Sequence, residues 1–265
     1  MQSFDLVKKA FSNQSEIFDK LDEQNMILKW MREIIYKHVK KYLRKNDSIL
    51  ELNAGTGIDS VYFAKLGHKI HCTDISEGMV EKLNNKIKSQ KLNSLITSQL
   101  LSFTELNKLK GKSFDYIFSN FGGLNCTQDI KQVISQFRSL LNKNGRLTLV
   151  ILPKICPWEL LLLFKGNFKV AFRRLARKGV YANIDGYKFK TYYYSVSDIK
   201  KALMNEYKIL KIQGLAAISP PPYLEKYSYK YPYIYKKLTF LDEKLSHIFP
   251  FNRWADHFII TAELK

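Results

Sequence analysis

Four residues in the first third of the chain have the types and spacing to hold a nucleoside: Glu51, Gly55, Gly57 and Asp74. An apolar run, Ser48-Ile-Leu-Glu-Leu52, enters the glycine turn Asn53-Ala-Gly-Thr-Gly57. A second strand segment, His68-Lys-Ile-His-Cys-Thr-Asp74, ends on a carboxylate 17 residues after Gly57. Glycines let the backbone pass close to a ligand and open the next helix, and a carboxylate about 20 residues on accepts hydrogen bonds from both ribose hydroxyls. Read from Gly55, the turn is one small residue short of the dinucleotide fingerprint, because Ser60 stands at the third glycine. A pyrophosphate needs free helix N–H donors and little negative charge nearby. Here Asp59 falls in the first helical turn and Glu51 closes the strand, so the two acids favour a cationic ligand.

The pattern Ile49-Leu-Glu-Leu-Asn-Ala-Gly-Thr-Gly57 resembles motif I of class I S-adenosylmethionine (SAM) methyltransferases, an acid followed by Gly-x-Gly-x-Gly. The resemblance implies SAM as cofactor. Glu51 would then hold its amino-acid end, Gly55 and Gly57 would pass beside it, and Asp74, followed by Ile75 and Met79, would take the ribose. The chain departs from the motif at Asn53, where a glycine is usual; Asn tolerates positive φ, so the turn survives with a side chain near the methionine moiety. Where the family often places an acid for the adenine amino group, this chain has Ser102, an alternative acceptor, and Phe103, which can pack on the ring. Ser119 and Asn120 close the fourth strand beside the cofactor. Phe18-Asp19 stands where the lid of small-molecule and quinone-type methyltransferases carries Tyr-Asp.

These residues need a scaffold, and strands alternating with helices predict a parallel sheet, since each crossover must return across the sheet face. A helix is expected over residues 77–90, a strand over 94–101 and another over 112–120. A helix over 128–142 and a strand over 144–152, entered through Asn144-Gly145, follow; a helix over 196–206 and strands over 207–217 and 257–264 complete the pattern. With the resemblance, the expected fold is α/β: a Rossmann-like class I methyltransferase fold, with a mostly parallel seven-stranded sheet flanked by helices. Residues 1–46 read as an N-terminal helical lid and 47–152 as the SAM-binding core. Residues 153–265 read as an acceptor-cap insertion plus the C-terminal strands of the same domain.

Two excursions carry the cap reading. Residues 153–197 contain Trp158, Phe164, Tyr181, Tyr187, Tyr192, Tyr193 and Tyr194, and residues 219–235 run Pro-Pro-Pro-Tyr and then Tyr at nearly every second position. Both follow strands whose carboxyl ends face the ligand in open α/β folds. Substrate-binding candidates are Phe18, Phe121, Asn125, Trp158, Tyr193 and Tyr223, with Cys126 as a further lid contact. In-line methyl transfer from SAM needs alignment and exclusion of water more than acid–base help. Ser119-Asn-Phe-Gly122 is not the Asp/Asn-Pro-Pro-Tyr tetrad of DNA and some protein N-methyltransferases. Asn120 and His257 are the catalytic candidates.

With 265 residues and 46% hydrophobic content, the chain can bury one large core. Three scattered cysteines make neither a disulfide framework nor a zinc site, and no metal is expected. The N-terminus lacks the features of a signal peptide, and no apolar run reaches the roughly 18 residues of a membrane span. A cytoplasmic location, peripheral to the inner membrane face at most, is therefore expected. The net charge of +19 is spread over both halves, with a local excess in Lys165–Lys178, where Phe168, Phe172 and Leu175 recur at helical spacing beside Lys169, Arg173, Arg174, Arg177 and Lys178. This predicts a basic amphipathic helix that covers a pocket, meets anionic lipid or contacts RNA phosphate. The partner expected is a small-molecule or lipid-like acceptor, methylated on O or N. Nucleic acid is not favoured, since no RNA-binding module is present; an RNA methyltransferase or a non-catalytic SAM-binding protein is the alternative.

Overall fold

The computed structural model describes residues 4–265. Helices α1 (Phe4–Gln24) and α2 (Met26–Lys40) meet at Asn25, whose side chain accepts the N–H groups of Ile27 and Leu28 and so ends one helix and starts the next. Then follow β1 (Ser48–Leu52), α3 (Ile58–Lys65), β2 (Lys69–Asp74), α4 (Glu77–Ser89), β3 (Ile96–Leu100) and β4 (Phe114–Ser119). Next come α5 (Ile130–Ser135), β5 (Leu141–Ile151), α6 (Pro157–Leu160), α7 (Phe168–Ala171) and the strands β6 (Val180–Ile184) and β7 (Tyr187–Thr191). The chain closes with α8 (Val196–Leu203), β8 (Tyr207–Leu215), α9 (Glu225–Lys230), α10 (Pro232–Leu245) and β9 (His257–Leu264).

Seven strands form one sheet in the order β3-β2-β1-β4-β5-β9-β8, parallel except for β9, which pairs antiparallel with both β5 and β8. Side-chain alternation sends Leu50 and Leu52 into a core under α5 and α8, and Ile49 into a second core under α2, α3 and α4. The sheet is thereby buried on both faces. Because β1 connects outward to β2 while β4 lies on its other side, strand order reverses between β1 and β4. A crevice opens there at the carboxyl ends, the place where open α/β sheets bind ligands.

Several expectations shift in detail. The helix expected over 128–142 is only α5 and a 3₁₀ turn at Phe137–Ser139, because β5 already starts at Leu141, which pairs with Phe114. Asn144-Gly145 does not lead into the strand but sits in a bulge inside it, with Asn144 at φ +58°. The lid expected over residues 1–46 divides among the described residues: α2 is a sheet-covering helix, burying Ile27, Met31, Ile35 and Val39, and α1 lies over the crevice. The basic amphipathic helix is broken into α7 and two 3₁₀ turns, Leu161–Lys165 and Arg173–Leu175, because Gly166 adopts φ +70° and Asn167 caps a fresh turn. The first excursion also holds the β6–β7 hairpin, whose Phe189 packs with Val7 and Ala10 of α1.

Candidate functional site

The turn between β1 and α3 is built to approach a ligand. Asn53, Gly55 and Gly57 all have positive φ (+48°, +55° and +78°), which glycine adopts freely and Asn tolerates. At Gly57 a Cβ would lie 2.2 Å from Leu83, so that glycine lets α4 pack under the turn. At Gly55 a Cβ would meet only Met79 Sδ and Phe18 Cε1, each 4.0 Å away, so its missing side chain leaves open space between α4 and α1. That space is a cavity of about 190 Å³. It is lined by Asn53, Gly55, Asp74, Ile75, Met79 and Asn120 at the turn and strand ends, together with Leu101, Phe103, Phe121, Gly123 and Cys126. Helix α1 roofs it with Phe4, Val7, Phe11 and Phe18.

Asp74 is held for a ligand on its far side. Its Oδ1 accepts the Ser76 N–H and its Oδ2 the Gly55 N–H, both at 2.9 Å, which aims the carboxylate into the cavity. Burial raises its pKa, and those N–H groups oppose the rise. Glu51 is buried beneath the turn, accepting from Ser60 Oγ; burial and the neighbouring Asp59 push its pKa well above the usual carboxylate range. Asn53 bridges the two central strands, its Oδ1 accepting from Ser119 Oγ at 2.7 Å and its Nδ2 donating to the Asn120 carbonyl at 3.2 Å.

Asp59 is not open to a ligand, contrary to the reading of two free acids. Its Oδ1 accepts from Arg32 and from Tyr36 Oη (2.7 Å for the tyrosine), and its Oδ2 accepts from Asn120 Nδ2 at 2.8 Å. Arg32 also pairs with Asp22 at 2.5 Å, and its guanidinium lies 4.8 Å from the Phe121 ring centre. The Asn120 amide thus bridges Asp59 and the cavity wall, since its Oδ1 also accepts the Phe121 N–H. That bond holds Phe121 at φ +44° on the cavity wall. The other edge of Phe121 meets His257, 5.8 Å away between ring centres.

His257 stands at the start of β9, on the same sheet edge as the crevice, with Nδ1 2.9 Å from Asp256 Oδ2. Asp256 is held down to about 2 by His257 and the Arg174 guanidinium, which outweigh its burial. Arg174 donates to Asp256 Oδ1 at 2.7 Å and to Glu159 at 2.8 Å, and Arg173 makes a two-pronged contact with the same Glu159. A buried ionic cluster therefore pins the first excursion to the head of β9.

Of the residues singled out from sequence, Asn53, Gly55, Asp74, Ile75, Met79, Phe103, Asn120, Phe121 and Phe18 line the cavity. Glu51, Gly57, Ser102 and Ser119 support the turn and strand ends; Ser102 Oγ accepts from the Thr104 N–H. Asn125 lies away from it: its amide clamps both the N–H and the carbonyl of Leu152 and the Tyr192 carbonyl. Trp158 rests edge-on against Tyr227, Tyr193 lies 5.2 Å from the Arg174 guanidinium, and Tyr223 is half exposed. Cys126 does line the cavity, and burial pushes its thiol up to about 12, so it is neutral there.

Phe4 and Val7 were not anticipated, although Phe4, Val7, Phe11 and Phe18 recur at the 3–4–7 spacing of one helix face. Nor were Arg32, Glu159 and Arg174, whose partners are distant in sequence. Helix α1 is tied down by polar contacts to α4 and the turn: Lys8–Glu77, Ser12 Oγ to Ser76 Oγ, Lys82–Glu16 and Lys86–Asp19, with Thr56 donating to Asp19. Among the described residues no cluster of His, Cys, Asp or Glu could hold a metal, and no helix is long and apolar enough to cross a membrane.

Residues 50–147 match a family model described as a methyltransferase domain. An uncharacterized protein of Methanocaldococcus jannaschii is 26% identical over 230 residues, covering 84% of each chain. A demethylmenaquinone methyltransferase of Symbiobacterium thermophilum is 29% identical over 145 residues, 49% of this chain and 55% of that one. Among solved structures, the 1,6-didemethyltoxoflavin-N1-methyltransferase of Burkholderia thailandensis, with bound 1,6-didemethyltoxoflavin and S-adenosylhomocysteine, is similar with a TM-score of 0.59. It is 14% identical, covering 98% of this chain and 88% of that one. A SAM-dependent methyltransferase of Methanosarcina mazei gives a TM-score of 0.58 at 16% identity, covering 85% and 96%. At these identities the structural likeness is one of fold.

Proposed function

Residues 50–147 are a class I SAM-dependent methyltransferase domain, and from that premise we propose that this enzyme methylates O or N of a small, partly apolar or lipid-like acceptor that reaches SAM past Phe121. The observation that carries the reading is the aromatic-roofed cavity joining Asp74, Gly55 and Asn53 to Asn120 and Phe121 at the β1–β4 crevice. The demethylmenaquinone and didemethyltoxoflavin enzymes among its relatives act on ring compounds, consistent with such an acceptor.

The donor set fits the cofactor. Asp74 would accept the ribose hydroxyl hydrogens, Leu101 and Phe103 would enclose the adenine, and Asn53 with Gly55 would border the methionine moiety. Bound SAM supplies a methyl group already activated on sulfonium, leaving a neutral thioether when it departs. The residues around it then have to orient and to exclude water. Phe18, Phe11 and Val7 do the second from α1; Phe121, braced by Arg32 on one side and His257 on the other, sets the acceptor's approach. Asn120 acts as a positioning residue, because its amide ties Asp59 to the Phe121 N–H. His257, behind Phe121 and with Nδ1 on Asp256, is the candidate proton acceptor for a hydroxyl substrate, acting through Nε2.

The test is SAH release with a panel of phenols, quinols, heteroaromatic amines and carboxylates, for wild type and His257→Asn. Turnover of an aromatic acceptor, with kcat reduced in the variant and SAH affinity retained, supports the reading. Absence of turnover with the panel, alongside methylation of total RNA, would replace it with the RNA alternative.

A further inference from the structure

The segment between α6 and β6 is turned inside out. One of its cations, Arg174, faces inward, buried against Glu159 of α6 and Asp256 at the head of β9 in the cluster described above. Its large apolar side chains face outward: Phe164 is 90% exposed, Phe168 63%, and Leu161, Phe172 and Leu175 about half. Gly166 breaks the helical path, so Phe164 and Phe168 project from successive short turns where they cannot fold back onto the sheet. Interleaved with them are the exposed cations Lys165, Lys169, Arg177 and Lys178, and no acidic residue occurs between Glu159 and Asp185. Monomeric proteins rarely leave such an apolar patch open to water without a partner.

We propose that this surface docks on an anionic lipid bilayer, with the phenylalanines and leucines entering the interface and the four cations lying at the phosphate level. The charge pattern selects this occupant. A second copy would bring the same acid-free cationic surface against itself, and like charges oppose that pairing. Single-stranded RNA would be met by aromatic stacking, to which the exposed Leu161 and Leu175 contribute nothing, whereas aliphatic and phenyl groups ringed by lysine suit the acyl–headgroup boundary. Flexible lysine stems let the charge stay at the surface while apolar groups insert. The buried Arg174–Glu159 cluster makes the platform rigid, so docking orders little and costs little entropy.

The experiment is co-sedimentation of the full chain with vesicles of neutral phosphatidylcholine and of phosphatidylcholine with phosphatidylglycerol, at low and high salt. Wild type is compared with Phe164→Glu/Phe168→Glu and with Lys165→Glu/Lys169→Glu. Anionic vesicles should retain the protein far better than neutral ones, with binding weakening as salt rises. Each lysine reversed should weaken binding roughly fivefold or more, and the phenylalanine pair should weaken it by about tenfold or more. Thermal melting should be unchanged in both variants, which shows them folded and keeps this result independent of the methyltransferase reading. Equal binding by wild type and variants overturns the proposal, as does no preference for anionic vesicles. So does a wild-type dimer, seen by ultracentrifugation without vesicle binding and dissolved by the phenylalanine pair.

Discussion

Asp74 gives the sharpest test of the cofactor site. Each of its two oxygens already accepts one backbone N–H, from Ser76 and Gly55, and each keeps acceptor capacity toward the cavity for a ribose hydroxyl. Hydrogen bonds to a charged group are worth about 1.5–3 kcal/mol, so Asp74→Ala should weaken SAH roughly tenfold to a hundredfold. Asp74→Asn should cost nearly as much. Whichever way its amide turns, the NH₂ faces one of the two backbone N–H groups, and the turn must break a bond to accommodate it. Both substitutions also destabilise the free protein by leaving a turn N–H unpaired, about 1–3 kcal/mol for each such group. Melting without ligand measures that loss, and titration calorimetry with SAH and with NAD measures the affinity. Binding of SAH by either variant within about threefold of wild type, or tighter binding of NAD, would refute the assignment of Asp74 to the ribose.

Gly123→Ala would place a Cβ 2.2 Å from the Asn53 side chain, pushing it off Ser119 and Asn120. SAH affinity should fall on the order of tenfold and recover in the Asn53→Gly/Gly123→Ala double variant, as titration calorimetry of both would reveal. Arg32→Met removes the cation between Asp22 and Asp59 and should cost about 3–5 kcal/mol in urea denaturation, because two buried carboxylates lose their partner. His38 is buried between Gln213 and Thr261, and burial lowers its pKa to about 4. The unfolded chain takes up this proton near pH 6.5 and the folded chain only near 4. The contribution is thus intact above about pH 6.5 and is lost as pH falls toward 4, about 3 kcal/mol in all. A series of denaturation curves from pH 7 to 4 should show that slope in wild type and a flatter one in His38→Asn.

The local pattern alone determined the α/β alternation, the glycine turn and the position of Asp74. Each depends on neighbours in sequence: apolar runs long enough for buried strands, glycines where φ must be positive, a carboxylate at a strand end. The aromatic face of α1 was also present as a helical spacing. Tertiary structure decided what depends on pairing across the chain. Leu141 joined β5 because Phe114 offered it a ladder, which shortened the helix before it. Asp59, read locally as an open acid for a cationic ligand, is paired with Arg32, 27 residues earlier, and accepts hydrogen bonds from Tyr36 and Asn120. Asn125 was drawn from the cavity to Leu152 and Tyr192, since a buried amide must satisfy donors and acceptors together. Segment 161–175 had helical periodicity, but burial of Arg174 with Glu159 and Asp256 set which side faced inward. Periodicity states that one face differs from the other; only the charges packed beneath decide which face meets water.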